Sequence, residues 1–190
     1  AVGAPYNDGN GDDVGHVRVY TWDKTAAPEV GEWVQKGADI EGKASGDQSG
    51  TSVSLSDDGL TLAVGAPYND GNDEDNAGHV STGNNAGHVR VYGWYETTAP
   101  GVGEWLQKGA DIEGEVSGDL SGTSVSLSGD GLTLAVGAPY NDGNGDDVGH
   151  VRVYTWDKTA APEVGEWVQK GAGHVRVYTW DKTTAAPDVG

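Results

Sequence analysis

Apolar and polar residues alternate with period two over short stretches, and no stretch carries a helical period. Ser52-Val53-Ser54-Leu55-Ser56 and Leu60-Thr61-Leu62-Ala63-Val64 both alternate, and Asp57-Asp58-Gly59 between them is a hairpin turn signal. Gly65-Ala66-Pro67 ends the second strand, because proline has no N–H for a central ladder. A loop rich in Asn, Asp and Gly follows. Val89-Arg90-Val91-Tyr92 reads as a third strand, continued by Trp94. The Pro- and Gly-containing stretch 97–103 reads as a loop, and Glu104-Trp105-Leu106-Gln107-Lys108 opens a fourth strand expected to run to Ile112. The residues from Gly114 to Gly118 then lead to the next copy of the first strand.

This pattern is repeated. Val2-Gly3-Ala4-Pro5-Tyr6-Asn7-Asp8-Gly9-Asn10 recurs from Val64 and from Val136. The Gly-His-Val-Arg-Val-Tyr element places histidines at His16, His88, His150 and His174, at successive spacings of 72, 62 and 24. The unit is therefore the stretch that separates His88 from His150, about 62 residues. It has two irregularities. The second copy is ten residues longer, because Ala77-Gly78-His79-Val80 begins the histidine element, breaks off, and Ala86-Gly87-His88-Val89 begins it again. Near the end about 38 residues of the unit are missing, and Gln169-Lys170-Gly171-Ala172 runs straight into Gly173-His174-Val175.

Four short strands per unit of this length predict propeller blades. The expected fold is all-β: a partial, open-ended β-propeller of about three four-stranded antiparallel blades. Residues 1–46 form a blade lacking its first strand, 47–118 a blade with the ten-residue insertion, and 119–171 a third blade. Residues 172–190 form a truncated repeat with a third strand and a tail. Serines on alternate positions of the first strand suit the crowded axis. Tryptophans and tyrosines are expected to fill the space between blades further out.

Ser-Gly-Thr-Ser-Val-Ser-Leu-Ser, then Asp-Gly-Leu-Thr-Leu-Ala-Val-Gly-Ala-Pro, then Gly-His-Val-Arg-Val-Tyr resembles the FG-GAP repeat, the blade unit of integrin α-subunit propellers. Ser49-Gly50 and Ser121-Gly122 stand at the position that gives the repeat the first half of its name. The resemblance implies a seven-bladed propeller, extracellular or at the cell surface, used for adhesion or partner recognition. The family's calcium loop between strands one and two, of the form Asp-x-Asp-x-Asp-Gly, has no counterpart in Asp57-Asp58-Gly59 or Gly129-Asp130-Gly131. Those sites are not carried over.

Composition narrows the chemistry. Eleven Lys and Arg stand against 30 Asp and Glu, a net charge of −19, which argues against nucleic acid as a partner. Without Cys there is no thiolate nucleophile and no disulfide framework. No apolar run is long enough to form a transmembrane segment. The absence of Met from all 190 residues leads to the expectation of a processed product or a fragment of a longer chain.

The acidic loop between strands two and three is the candidate site. Asp8, Asn10 and Asp12 place oxygen side chains on alternate positions, as do Asp70, Asn72 and Glu74, and Asp142, Asn144 and Asp146. This spacing resembles the first half of a calcium loop, and Ca²⁺ is the one cofactor it suggests. Asn, Asp and Gly also favour plain turns, so a solvated turn is the alternative. The histidines recur in register and are expected to open strands rather than form one catalytic centre. No Gly-x-Ser-x-Gly elbow is present. Gly37 to Ala44 approaches a phosphate loop but ends in Ala where Mg²⁺ needs a hydroxyl. Trp22-Asp23 lies too close to Gly15-His16 for a WD40 blade.

These observations predict a non-catalytic binding, recognition or adhesion module of a larger propeller protein. Its acidic loops would face a protein or carbohydrate ligand, with self-association through open blade edges. An accessory propeller of a larger secreted enzyme, or a degenerate repeat fragment without independent function, are the alternatives.

Overall fold

A computed structural model describes residues 1–24, 30–70, 85–98, 102–143, 145–159 and 165–171. Every regular element among them is a strand. The insertion, the terminal truncated repeat with its expected third strand, His79 and His174 all lie outside the described residues. Among the described residues no helix is long and apolar enough to cross a membrane.

The most complete blade is a meander of β6 (Ser52–Leu55), β7 (Thr61–Ala66), β8 (His88–Glu96) and β9 (Gly103–Gln107). All of its neighbours are antiparallel, with Val53 opposite Val64, Val64 opposite Arg90 and Trp94 opposite Trp105. The hairpin between β6 and β7 is closed by side chains as well as backbone. The Leu60 N–H donates to Asp58 Oδ1 (2.9 Å), and the Thr61 N–H to Ser56 Oγ (2.9 Å). The pairing stops at Ala66, directly before Pro67.

The fourth strand differs from its expected form. It leaves β8 after Gln107 and returns only as β10 (Ile112–Glu113), paired with the start of β8 at Val89 and His88. The backbone between them bends at Gly109, whose φ of +85° is open to glycine and strained for other residues. Strand four is thus an outer and an inner piece separated by a kink.

The same plan flanks this blade. On one side lie β1 (Val2–Ala4), β2 (His16–Arg18) and β5 (Ile40–Glu41) in one sheet, with β3 (Tyr20–Asp23) and β4 (Glu32–Gln35) in a pair. On the other side, β11 (Ser124–Leu127), β12 (Thr133–Ala138), β13 (His150–Asp157) and β14 (Glu166–Gln169) form a four-stranded meander. None of the sheets closes into a barrel, and they form an open row of propeller blades.

Two apolar cores hold the row together, one at each blade junction. Val17, Val19 and Ile40 of the first blade pack on Leu62, Val64 and Tyr92 of the second. Ala63, Val89, Val91 and Ile112 on the opposite face of the second blade pack on Leu127, Leu134, Val136 and Tyr154 of the third. Strand alternation explains the division, since successive residues of β7 and β8 serve opposite faces. Nearer the axis, serine hydroxyls replace bulk. Ser52 Oγ donates to the Gly122 carbonyl (2.7 Å), and the Leu127 N–H donates to Ser54 Oγ (2.9 Å). The small first-strand residues therefore let neighbouring blades approach closely, as the sequence predicts.

Further out, each junction is fastened by three polar contacts. Arg90 donates to the Glu41 carbonyl (2.7 Å), and Trp105 Nε1 to the Lys36 carbonyl (2.8 Å). Lys36 Nζ donates to the Gly59 carbonyl (3.1 Å) while lying 4.8 Å from the centre of the Trp94 ring. The next junction repeats all three. Arg152 donates to the Glu113 carbonyl, Trp167 to the Lys108 carbonyl, and Lys108 to the Gly131 carbonyl.

Candidate functional site

The three acidic loops follow β1, β7 and β12, and their closure is built from the first carboxylate of each. Asp8 Oδ1 accepts the Asp13 N–H (2.9 Å), and Asp142 Oδ1 accepts the Asp147 N–H (2.8 Å). In the middle blade Asp70 Oδ1 accepts the N–H of Asn85, 15 residues away (2.8 Å). Asp13, Asn85 and Asp147 all take positive φ, at 49°, 66° and 51°, a conformation that Asn and Asp tolerate better than bulkier residues. The insertion therefore enters a loop whose two ends are still joined by the repeat's own hydrogen bond.

The loops are anchored from below by asparagines that turn inward. Asn69 Nδ2 donates to Asp47 Oδ1 (3.0 Å) and Asn141 Nδ2 to Asp119 Oδ2 (3.0 Å), and all four residues are buried. The other oxygen of Asp47 accepts the Lys43 and Ala44 N–H groups, which fixes the link from strand four to the next blade. Backbone bonds run from this link to the first loop, from Gly46 to Asp12 and from Gln48 to Asp13. The acidic loops and the interblade links thus share one face.

Asp47 and Asp119 were not singled out by sequence reasoning. Their signal is their register: each stands two residues before the Ser-Gly at the start of strand one. Recurrence of an acid beside buried small residues is what a structural carboxylate requires.

Of the nine candidate ligands, Asp8, Asn10, Asp12, Asp70, Asp142 and Asp146 are exposed on this face. Asn72, Glu74 and Asn144 lie outside the described residues. In each loop the first Asp has one oxygen engaged by the loop's own backbone.

A correction concerns the tyrosines. Tyrosine was expected between blades, and Tyr92 and Tyr154 are there. Tyr6, Tyr68 and Tyr140 instead stand out from the loop face at 69%, 40% and 50% exposure. Each precedes an Asn that turns inward in the two later loops, so the strand has already ended and the tyrosine has no neighbouring blade to meet. Each blade therefore offers an exposed Tyr followed at two residues by an exposed Asp.

Among the described residues two other groups could hold a metal: His16, Asp39 and Glu41, and His88, Asp111 and Glu113, each with ligand atoms within 4.8 Å of one another. In both, the aspartate already has a cation. Arg18 binds Asp39 through two nitrogens and holds its carboxyl at about 2, while Lys43 Nζ lies 2.8 Å from Asp111. His88 is wholly buried, and burial, with Arg90 nearby, pushes its imidazole well below the ordinary value. The pairing stops at the aspartates: among the described residues, both ring nitrogens of His88 and both carboxylate oxygens of Glu113 are buried without a hydrogen-bond partner. The histidines open β2, β8 and β13, as expected.

The charge at the link changes with its surroundings. Lys43 meets Asp111, whereas its counterpart Glu115 lies 3.8 Å from His150 and 3.9 Å from Arg152. In the third repeat the deletion puts Gly173 where Asp111 stands in the second, and the link residue carries the opposite charge.

The fold and its repeated loop face define a propeller-type repeat module. The sequence model of the FG-GAP repeat matches residues 41–82 and 113–154, each beginning at the inner end of a fourth strand and running into the following blade. The chain carries FG-GAP repeats. Comparison with curated proteins gives no match.

Proposed function

We propose that the chain is a non-catalytic recognition module that presents a row of tyrosine and aspartate side chains to a carbohydrate or protein ligand outside the cell. The observation that supports this reading is the repeated exposure of Tyr6, Tyr68 and Tyr140 above Asp8, Asp70 and Asp142. A tyrosine ring stacks on apolar sugar or side-chain faces, and a free carboxylate oxygen accepts hydroxyl or ammonium donors. Burial of Asn69 and Asn141 against Asp47 and Asp119 fixes the loops beforehand, which lowers the entropy lost on binding. FG-GAP repeats are typical of extracellular proteins, which supports the setting. Calcium, held by the exposed oxygens of Asp8, Asn10 and Asp12 and their counterparts, would join carboxylates to ligand hydroxyls.

A glycan and peptide array, read with calcium and with chelator, tests this. Binding that is lost when Tyr6, Tyr68 and Tyr140 are all replaced by Ala, with the melting temperature kept, is the expected result. Retention of all binding by that triple variant would overturn the reading. Calorimetric titration with calcium chloride tests the cation separately, and no heat at millimolar calcium would remove it.

A further inference from the structure

We infer that His88, Asp111 and Glu113 form a binding site for a divalent transition-metal ion of the zinc kind, buried where β8 meets the inner piece of strand four. The site uses none of the exposed loop carboxylates, so it and the loop-face reading can fail independently.

The backbone brings the three side chains together. Glu113 stands directly opposite His88 in the β8–β10 pair. Asp111 precedes Glu113 by two residues, and strand alternation sends both carboxylates to one face while Ile112 between them enters the core. The ligand atoms of all three lie within 4.8 Å of one another. Zinc bonds of about 2.0–2.1 Å set tetrahedral ligands about 3.4 Å apart, so small side-chain rotations complete the ring.

Two of the three ligands are bare. His88 is wholly buried, and among the described residues neither of its ring nitrogens has a hydrogen-bond partner. Both oxygens of Glu113 are buried in the same condition. Buried imidazoles and carboxylates are ordinarily satisfied, because leaving them bare costs stability. A water molecule could donate to Glu113 but would leave its charge and that of Asp111 side by side. A divalent ion accepts electron pairs from the imidazole and from both carboxylates, and cancels their charge.

His16, Asp39 and Glu41 repeat the register in the first blade, and the difference between the two groups picks out the second. Arg18 binds Asp39 through two nitrogens, and Gln35 adds a further bond. Arg90, at the matching position, reaches back to the Glu41 carbonyl of the preceding blade instead. Asp111 is held by Gln107 at Oδ1 (2.6 Å) and by Lys43 at Oδ2 (2.8 Å). A carboxylate oxygen has two lone pairs, so Gln107 can keep its bond and orient Asp111 while the same oxygen binds the ion. Lys43 is the competitor for that carboxylate. Its side chain is 29% exposed, which lets the ammonium withdraw into water as the ion enters.

The donor set selects the class of ion. One imidazole nitrogen with carboxylate oxygens suits zinc and its neighbours, whereas calcium takes six to eight oxygens. Three protein ligands leave a fourth position to water.

Cobalt and zinc titrations of the chelator-treated full chain test the inference. Wild type is expected to take up one equivalent of cobalt with a visible absorption band that zinc displaces, and its melting temperature is expected to rise with zinc. His88→Gln and Glu113→Gln are each expected to lose both the band and the rise, and His16→Gln to keep both. Circular dichroism melts verify that the variants fold, and where one does not, the other carries the comparison. X-ray absorption at the zinc edge of wild type needs no variant and is expected to show one imidazole among oxygen ligands. No cobalt band in wild type, a band kept by His88→Gln, or a zinc spectrum without imidazole would each overturn it.

Discussion

Trp22 and Trp94 occupy the same place in successive repeats. Each makes an edge-on pair with the tryptophan across the strand, at 5.2 and 5.4 Å. Yet Trp94 is 8% exposed and Trp22 44%. The difference is the neighbour: the second pair is covered by Lys36 and Gly37 of the preceding blade, and among the described residues the first has no such cover. The strand pair therefore sets the geometry of the rings, and the junction sets their burial. Repeat proteins divide their stability in this way between units and nearest-neighbour interfaces.

The comparison can be broken most strongly at the rings themselves. Trp105→Ala removes a ring that packs on the first core and donates to Lys36, and should cost about 2–4 kcal/mol. Trp33→Ala, at the matching position on the uncovered pair, should cost less than about 1 kcal/mol. Chemical denaturation of dilute, monomeric samples measures both, and equal losses would contradict the division between unit and junction.

A smaller contrast lies at the glycines. Gly37→Ala meets both a positive φ and the Trp94 ring, and should cost about 2–3 kcal/mol. Gly171→Ala meets the backbone cost alone, about 1 kcal/mol. Thermal melts of the two variants separate packing from backbone strain.

The covered junction should also leave a pH signature. His88 lies beside Arg90, Lys43, Asp111 and Glu113, and burial depresses its imidazole. A depressed histidine stabilises the fold fully above its ordinary value near 6.5. That stabilisation is lost as pH falls toward the folded value of about 3. Glu113, raised by burial, acts in the opposite direction over part of the range. The melting temperature of wild type should therefore fall more steeply between pH 6.5 and 4 than that of His88→Gln. Parallel curves would assign the acid sensitivity elsewhere.

Much of this was legible in the sequence. The repeat period, the strand alternation and Pro67 placed β6, β7 and β8 within a residue or two, because those signals are local. The kink in strand four was not legible. It arises because the lysine before Gly109 must leave its own sheet to reach the next blade, a demand made by a residue some 50 positions away. For the same reason alternation could not tell an aromatic that meets a neighbouring blade from Tyr68, which follows the end of its strand. The acidic loops were found as candidates, but the carboxylates that hold them in place, Asp47 and Asp119, lie in a link that looks like ordinary turn sequence.

The hydrogen bond from Asn85 to Asp70 bears on how the fold tolerates added length. It closes the middle loop over 15 residues, where its counterparts close over five. Tripling a loop's length adds only about 1 kcal/mol of closure entropy. A blade clamped at the base of its loop can accept new sequence at the tip while the frame beneath stays in register. The ten extra residues of the second repeat fall between Asp70 and Asn85, and the bond that joins the two ends of the loop is kept.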